Sequence, residues 1–154
     1  MSSKKDLEQQ VMNATREQGV SSVLFRNIVG RKLGLSSSES ECMSFLALRG
    51  QVAPTEIAGH IGLTTGSVTT LLDRLEKAHY IVRSPNPRDR RGVLVTVHAH
   101  YMETVRPLVG NLQHEQATLI ARYSTEELAV IADFLTCFTN NVTASTDAIQ
   151  KELN

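Results

Sequence analysis

The sequence predicts a mainly helical chain carrying one small β-hairpin: a winged helix-turn-helix flanked by N- and C-terminal dimerisation helices. Three observations predict it. A short helical stretch, Pro54–Ile61, is followed by a glycine and then by a 3.6-period helix with Val68, Leu71, Leu72 and Leu75 on one face. Two β-branched runs, Tyr80–Arg83 and Val93–Val97, come directly after it. The loop between those runs concentrates arginine at Arg88, Arg90 and Arg91.

Taken in order, the first helix is expected from Asp6 to about Gly30, with Leu7, Val11, Ala14, Val23, Leu24 and Ile28 apolar and Gly19 as an interruption. Gly34, behind Arg31 and Lys32, is its stop. Ser38 and Glu41 have capping-box spacing and open a second helix to about Arg49, burying Cys42, Phe45, Leu46 and Leu48. Pro54 suits the first turn of the third helix, where a missing N–H costs nothing. Gly62 breaks that helix, Thr64 caps the next, and Leu63 with Val68 forms a hydrophobic staple.

Pro85 and Pro87 mark Ser84–Gly92 as irregular loop. A long helix follows from about His100 to Tyr123, with Pro107 inside it. Ser124 and Glu127 have capping-box spacing and open the last helix. There Leu128, Ile131, Leu135, Phe138 and Val142 recur at spacings of 3 and 4, the seam of a coiled-coil-like contact. The polar tail beyond about Thr143 gives no clear signal. These elements divide the chain into a dimerisation helix (1–34), a winged lobe (35–98) and C-terminal dimerisation helices (99–154).

Composition excludes several classes of function. The 154 residues are 41% apolar and 21% charged, as in a globular domain. No apolar run reaches the roughly 20 residues of a membrane span, and no apolar stretch follows Lys4 and Lys5 as it would in a secretory signal. A cytoplasmic location is expected. Cys42 and Cys137 form no disulfide framework and are expected as two small buried thiols. His98 and His100 are spaced to share a ligand, but no cysteine or acidic residue beside them completes a metal site. No metal and no cofactor is expected. No phosphate loop, nucleophile elbow or H-E-x-x-H helix is present, so no catalytic residue is assigned.

Net charge is zero, yet it is unevenly spread. Thr64–Gly92 holds six basic residues against three acidic ones, a net +3 that leaves −3 for the remainder. That basic segment is also the helix-turn-helix and its hairpin, which points to double-stranded DNA as partner. Opposite its leucines, the helix offers Gly66, Thr69, Thr70, Asp73 and Lys77, flanked by Thr65, Ser67 and Arg74. Short hydroxyl side chains let a helix approach base edges in the major groove. Thr64, Thr65, Ser67, Thr69, Thr70 and Arg74 are therefore the candidate contacts from the helix. Arg83, Arg88, Asp89, Arg90 and Arg91 are the candidates from the hairpin, with Asp89 orienting an arginine for a narrow minor groove. A winged helix used for protein contacts would explain zero net charge and Thr70, but not an arginine-rich tip.

Glu56-Ile57-Ala58, Leu63, Ser67-Val68-Thr69, Leu71–Lys77, Ile81-Val82-Arg83 and Pro87–Arg91 together resemble the MarR family of bacterial regulators over about Thr55–Val97. Asp89 and Arg91 match the family's Asp-x-Arg wing signature. The resemblance implies a homodimer on a palindromic site, agreeing with the seam from Leu128 to Val142 and with Leu7 and Val11 on the interlocking N-terminal helix. It also implies repression relieved by a small molecule, often aromatic. The chain departs from the family pattern at Thr70, where relatives are often basic. His79 stands where a glycine usually ends the recognition helix. Val97-His98 and Tyr101 replace the usual residues after the wing.

Overall fold

Hydroxyl side chains start four of the helices. Ser3 caps α1 (Lys4–Lys32), Ser36 caps α2 (Ser37–Arg49), Thr64 caps α4 (Thr65–Lys77) and Ser124 accepts from Glu127 N–H at the start of α6 (Thr125–Leu153). Each satisfies a backbone donor that the first helical turn leaves without a partner. Pro54 opens α3 (Pro54–Ile61), and α5 spans Ala99–Ile120 with Pro107 inside it. The structure is a computed structural model that describes residues 2–153; the side chains of Arg90, Arg91 and Leu153 lie outside the described set.

The chain forms two compact units, Met1–Val105 and Arg106–Asn154. In the first, α2, α3, α4 and the hairpin surround one core of Cys42, Met43, Leu46, Val52, Ile57, Val68, Leu71, Leu72, Leu75, Ile81 and Val95. The hairpin is antiparallel, β1 (Ile81–Asn86) with β2 (Asp89–Val97), in register from Ile81 opposite Val97. Val52 bonds Val95 through both backbone groups, N–H to O at 3.0 Å and O to N–H at 2.8 Å, so a single residue before α3 extends the sheet. This third pairing anchors a hairpin that would be marginal alone.

Several expectations are corrected. The α2 cap is Ser36 with Glu39, not Ser38 with Glu41. Glu41 instead bridges Arg26 of α1 at 3.1 Å and His60 of α3 at 2.8 Å. Leu48 is 81% exposed rather than buried. Gly19 does not interrupt α1, which runs unbroken for 29 residues. The strands extend through Ser84, Pro85 and Asn86 and resume at Asp89, leaving only Pro87-Arg88 as the turn. Proline is tolerated here because β1 is an edge strand whose outer side has no ladder to serve. Arg88 N–H donates to Asn86 Oδ1 at 2.9 Å, an Asx turn that closes the tip. Gly92 packs tightly beside it, since a Cβ there would lie 3.3 Å from both the Asn86 side chain and the Asp89 carbonyl. Cys42 is buried but Cys137 is exposed on α6. The C-terminal segment beyond Thr143 is helical to Leu153. Among the described residues no helix is long and apolar enough to cross a membrane.

Candidate nucleic-acid interface

The turn between α3 and α4 is built by Gly62 at φ 73°, a left-handed conformation. Its N–H and that of Leu63 both donate to the Ala58 carbonyl, at 2.9 and 3.2 Å. Thr64 then caps α4, its Oγ1 accepting Ser67 N–H at 3.3 Å and lying 2.9 Å from the Ser67 hydroxyl. Val68, Leu71, Leu72 and Leu75 are all buried. That fixes the rotation of the helix. Thr65, Gly66, Ser67, Thr69, Thr70, Asp73, Arg74 and Lys77 consequently lie on its exposed side.

The hydroxyls of that face have a defined polarity. Thr69 Oγ1 donates to the Thr65 carbonyl at 3.0 Å and Thr70 Oγ1 to the Gly66 carbonyl at 3.2 Å. With each hydroxyl hydrogen directed back along the helix, the oxygens present lone pairs outward and act as acceptors. Such a face suits the amino donors of adenine and cytosine edges.

Two arginines are tied into the lobe. Arg74 Nε lies 3.3 Å from Glu39 Oε1, while its side chain stays 66% exposed. Arg83, expected as an outward DNA contact, instead turns its guanidinium onto α4. Nη1 is 2.7 Å from Asp73 Oδ1 and 2.9 Å from Glu76 Oε2, and Nη2 is 3.5 Å from the Thr69 carbonyl. A single cation from β1 thereby pairs with both carboxylates of α4, offsetting one of their two negative charges and tying the hairpin to the helix. Sequence spacing alone does not show this, because Arg83 and its partners belong to different elements.

Arg88 and Asp89 are exposed at the hairpin tip; the side chains of Arg90 and Arg91 lie outside the described residues. His79 adopts φ 56°, a left-handed conformation. Its N–H still donates to the Glu76 carbonyl at 2.9 Å, so the helix ends normally at a conformational cost. His98 Nδ1 accepts the His100 backbone N–H at 3.0 Å, occupying one ring nitrogen at the start of α5. Among the described residues no group of three or more His, Cys, Asp or Glu side chains is placed to hold a metal.

The residues expected at a dimer contact are apolar and accessible. Leu7, Val11, Leu135 and Val142 are 52%, 43%, 52% and 52% exposed; Leu128, Ile131 and Phe138 are half-buried. Within α6, Phe134 and Phe138 pair with centroids 5.9 Å apart.

Residues 35–93 match the model of the MarR family. A helix-turn-helix-type transcriptional regulator of Bacillus subtilis, YcgE, is 33% identical over 133 residues, covering 86% of each chain. The chain belongs to the MarR family. Among solved structures, the transcriptional regulator Tm0710 of Thermotoga maritima superposes with a TM-score of 0.61 at 20% identity, over 90% of this chain and 98% of that one. A mutant of MepR from S. aureus, solved bound to an oligodeoxyribonucleotide, gives 0.51 at 16% identity, over 92% and 99%. At such identities these two establish the fold. The MarR winged helix is thus the lobe described above, and the relatives it matches are transcriptional regulators.

Proposed function

We propose that this MarR-family chain is a sequence-specific DNA-binding repressor acting as a homodimer on a palindromic operator. The observation that carries the proposal is the exposed polar face of α4, from Thr65 to Arg74, backed by four buried apolar side chains. Thr64, Thr65, Ser67, Thr69, Thr70 and Arg74 meet the major groove. Arg88, Arg90 and Arg91 meet the adjacent minor groove with Asp89 orienting an arginine, as their match to the family's wing signature implies. Arg83 braces the lobe rather than touching DNA. Leu7, Val11 and the seam Leu128, Ile131, Leu135, Phe138 and Val142 face a second copy, which buries the apolar side chains left open in one chain.

The family resemblance supports release by a small-molecule effector, often aromatic. An apolar cleft of about 290 Å³ lined by Leu46, Ala47, Gly50, Thr96, Val97 and Met102 is the candidate pocket, at the low end of sizes that hold such ligands.

Selection of bound sequences from random duplex DNA tests the proposal. The expected result is a palindromic consensus with half-sites separated by about one helical turn, roughly 10 bp. Affinity for it should fall about a thousandfold or more between 50 and 200 mM salt. Recovery of no consensus, with binding indifferent to salt, would instead favour a protein-interaction module.

A further inference from the structure

Glu39 is the one fully buried charged residue among those described, at 3% exposure. Its Oε2 accepts the Ser36 N–H at 2.8 Å, completing the α2 capping box. Capping does not require burial. Asp6, Glu56 and Glu127 accept the equivalent N–H groups before α1, α3 and α6, and all three are exposed. What distinguishes Glu39 is its second oxygen, which faces Arg74 Nε of the recognition helix at 3.3 Å. A buried carboxylate is costly without a cation, and Arg74 supplies it. Nε lies on one edge of the guanidinium, so a contact there leaves the outer Nη donors available. The 66% exposure of the Arg74 side chain agrees with that.

We infer that Glu39 is a positioning residue for DNA recognition: it holds the Nε edge of Arg74 in an ion pair so that the Nη donors are presented to a backbone phosphate. This rests on the DNA-binding reading above. An unrestrained arginine loses rotamer freedom when it binds, whereas one held by a buried partner has already lost it. Phosphate contacts fix the register of a recognition helix on the duplex. Glu39 therefore acts on site-specific affinity more than on general attraction to DNA. Its own negative charge, if it acted alone, would repel phosphate, so the inference predicts the opposite sign from simple charge counting.

The test compares wild type, Glu39→Gln, Arg74→Ala and the double variant as intact proteins. Each is titrated by fluorescence anisotropy on the selected operator and on an unrelated duplex. Glutamine keeps the size and the capping acceptor. Glu39→Gln is expected to weaken operator binding about tenfold, the scale of ordering one long side chain, without weakening binding to the unrelated duplex. In the Arg74→Ala background the same substitution should cost nothing further, the non-additivity of residues acting together. An equal loss in both backgrounds, or tighter operator binding by Glu39→Gln, overturns the inference. So does wild type binding its operator no better than Arg74→Ala, which leaves the DNA reading standing. Wild type binding no duplex at all sinks the DNA reading itself. Should Glu39→Gln fail to fold, 15N relaxation of the wild-type Arg74 Nε in the free protein decides: a rigidly held guanidinium supports the inference, and a freely reorienting one overturns it.

Discussion

Helices α4 and α6 both carry apolar stripes, and the two stripes meet opposite fates. In 13 residues α4 buries Val68, Leu71, Leu72 and Leu75 within its own lobe. In 29 residues α6 buries none of its described side chains fully, and Leu135 and Val142 remain 52% exposed. Periodicity tells which residues share a face, and a chain's own contacts tell whether that face already has a partner. For α4 it does, so the hydroxyl face is free to do other work. For α6 the apolar face is still seeking a surface, and a second copy of the chain supplies one in the proposed dimer.

Charge insertion separates the two helices most sharply. Leu72→Asp places a carboxylate in a closed core and is expected to cost at least about 4 kcal/mol, abolishing the cooperative thermal transition followed by circular dichroism. Leu135→Asp, on the exposed stripe, is expected to leave helix content near normal while halving the mass seen in sedimentation. An unaltered mass would move the interface elsewhere.

Next comes the brace that keeps the α4 face usable. Arg83→Ala uncovers Asp73 and Glu76 beside the proposed phosphate path and frees the hairpin. Operator affinity should drop by about 1–3 kcal/mol in a mobility-shift titration. Unchanged affinity would show that the ion pairs serve only the fold. A comparable effect on stability is expected at the α1–α2 crossing. Gly30→Ala sets a Cβ against the Ser40 side chain, itself nearly buried, and should cost about 1–3 kcal/mol in a denaturant titration.

The smallest effects sharpen the picture at single residues. His79→Gly relieves the positive φ and should raise stability by up to about 1 kcal/mol, as a modest rise in melting temperature. A fall would mean that the imidazole contributes more than the strain costs. The two thiols contrast as the helices do. Burial pushes the Cys42 thiol up to about 12, so it stays protonated, while Cys137 is exposed. One thiol per chain should react with a disulfide reagent in the native state and two after denaturation. Because folding raises the Cys42 value, its contribution to stability is intact below its ordinary value of 9.0 and is lost as pH rises towards 12.

Much of the recognition lobe was legible because its signals are local. Pro54, Gly62 and Thr64 set the two helix ends within a few residues, and the i, i+3, i+4, i+7 spacing of Val68 to Leu75 set the rotation. Family spacing flagged His79 as a left-handed residue. The capping pair at Ser124 and Glu127 formed as expected. Around α2 the same rule was ambiguous. Ser36, Ser37, Ser38, Glu39 and Glu41 allow more than one capping box, and burial of Glu39 against Arg74 selects between them.

By itself, then, the sequence determined what hydrogen-bond closure and side-chain periodicity decide within about two helical turns: the starts of α3, α4 and α6, the turn at Gly62 and the inward face of α4. Tertiary structure alone decided the pairings of charge across elements, Arg83 with Asp73 and Glu76, Arg74 with Glu39, and Glu41 with Arg26 and His60. It also carried the strands through Pro85 and left Cys137 exposed. The reason is physical. A charged side chain takes whichever opposite charge the packed backbone brings within about 4 Å, and that proximity exists only after the helices have docked.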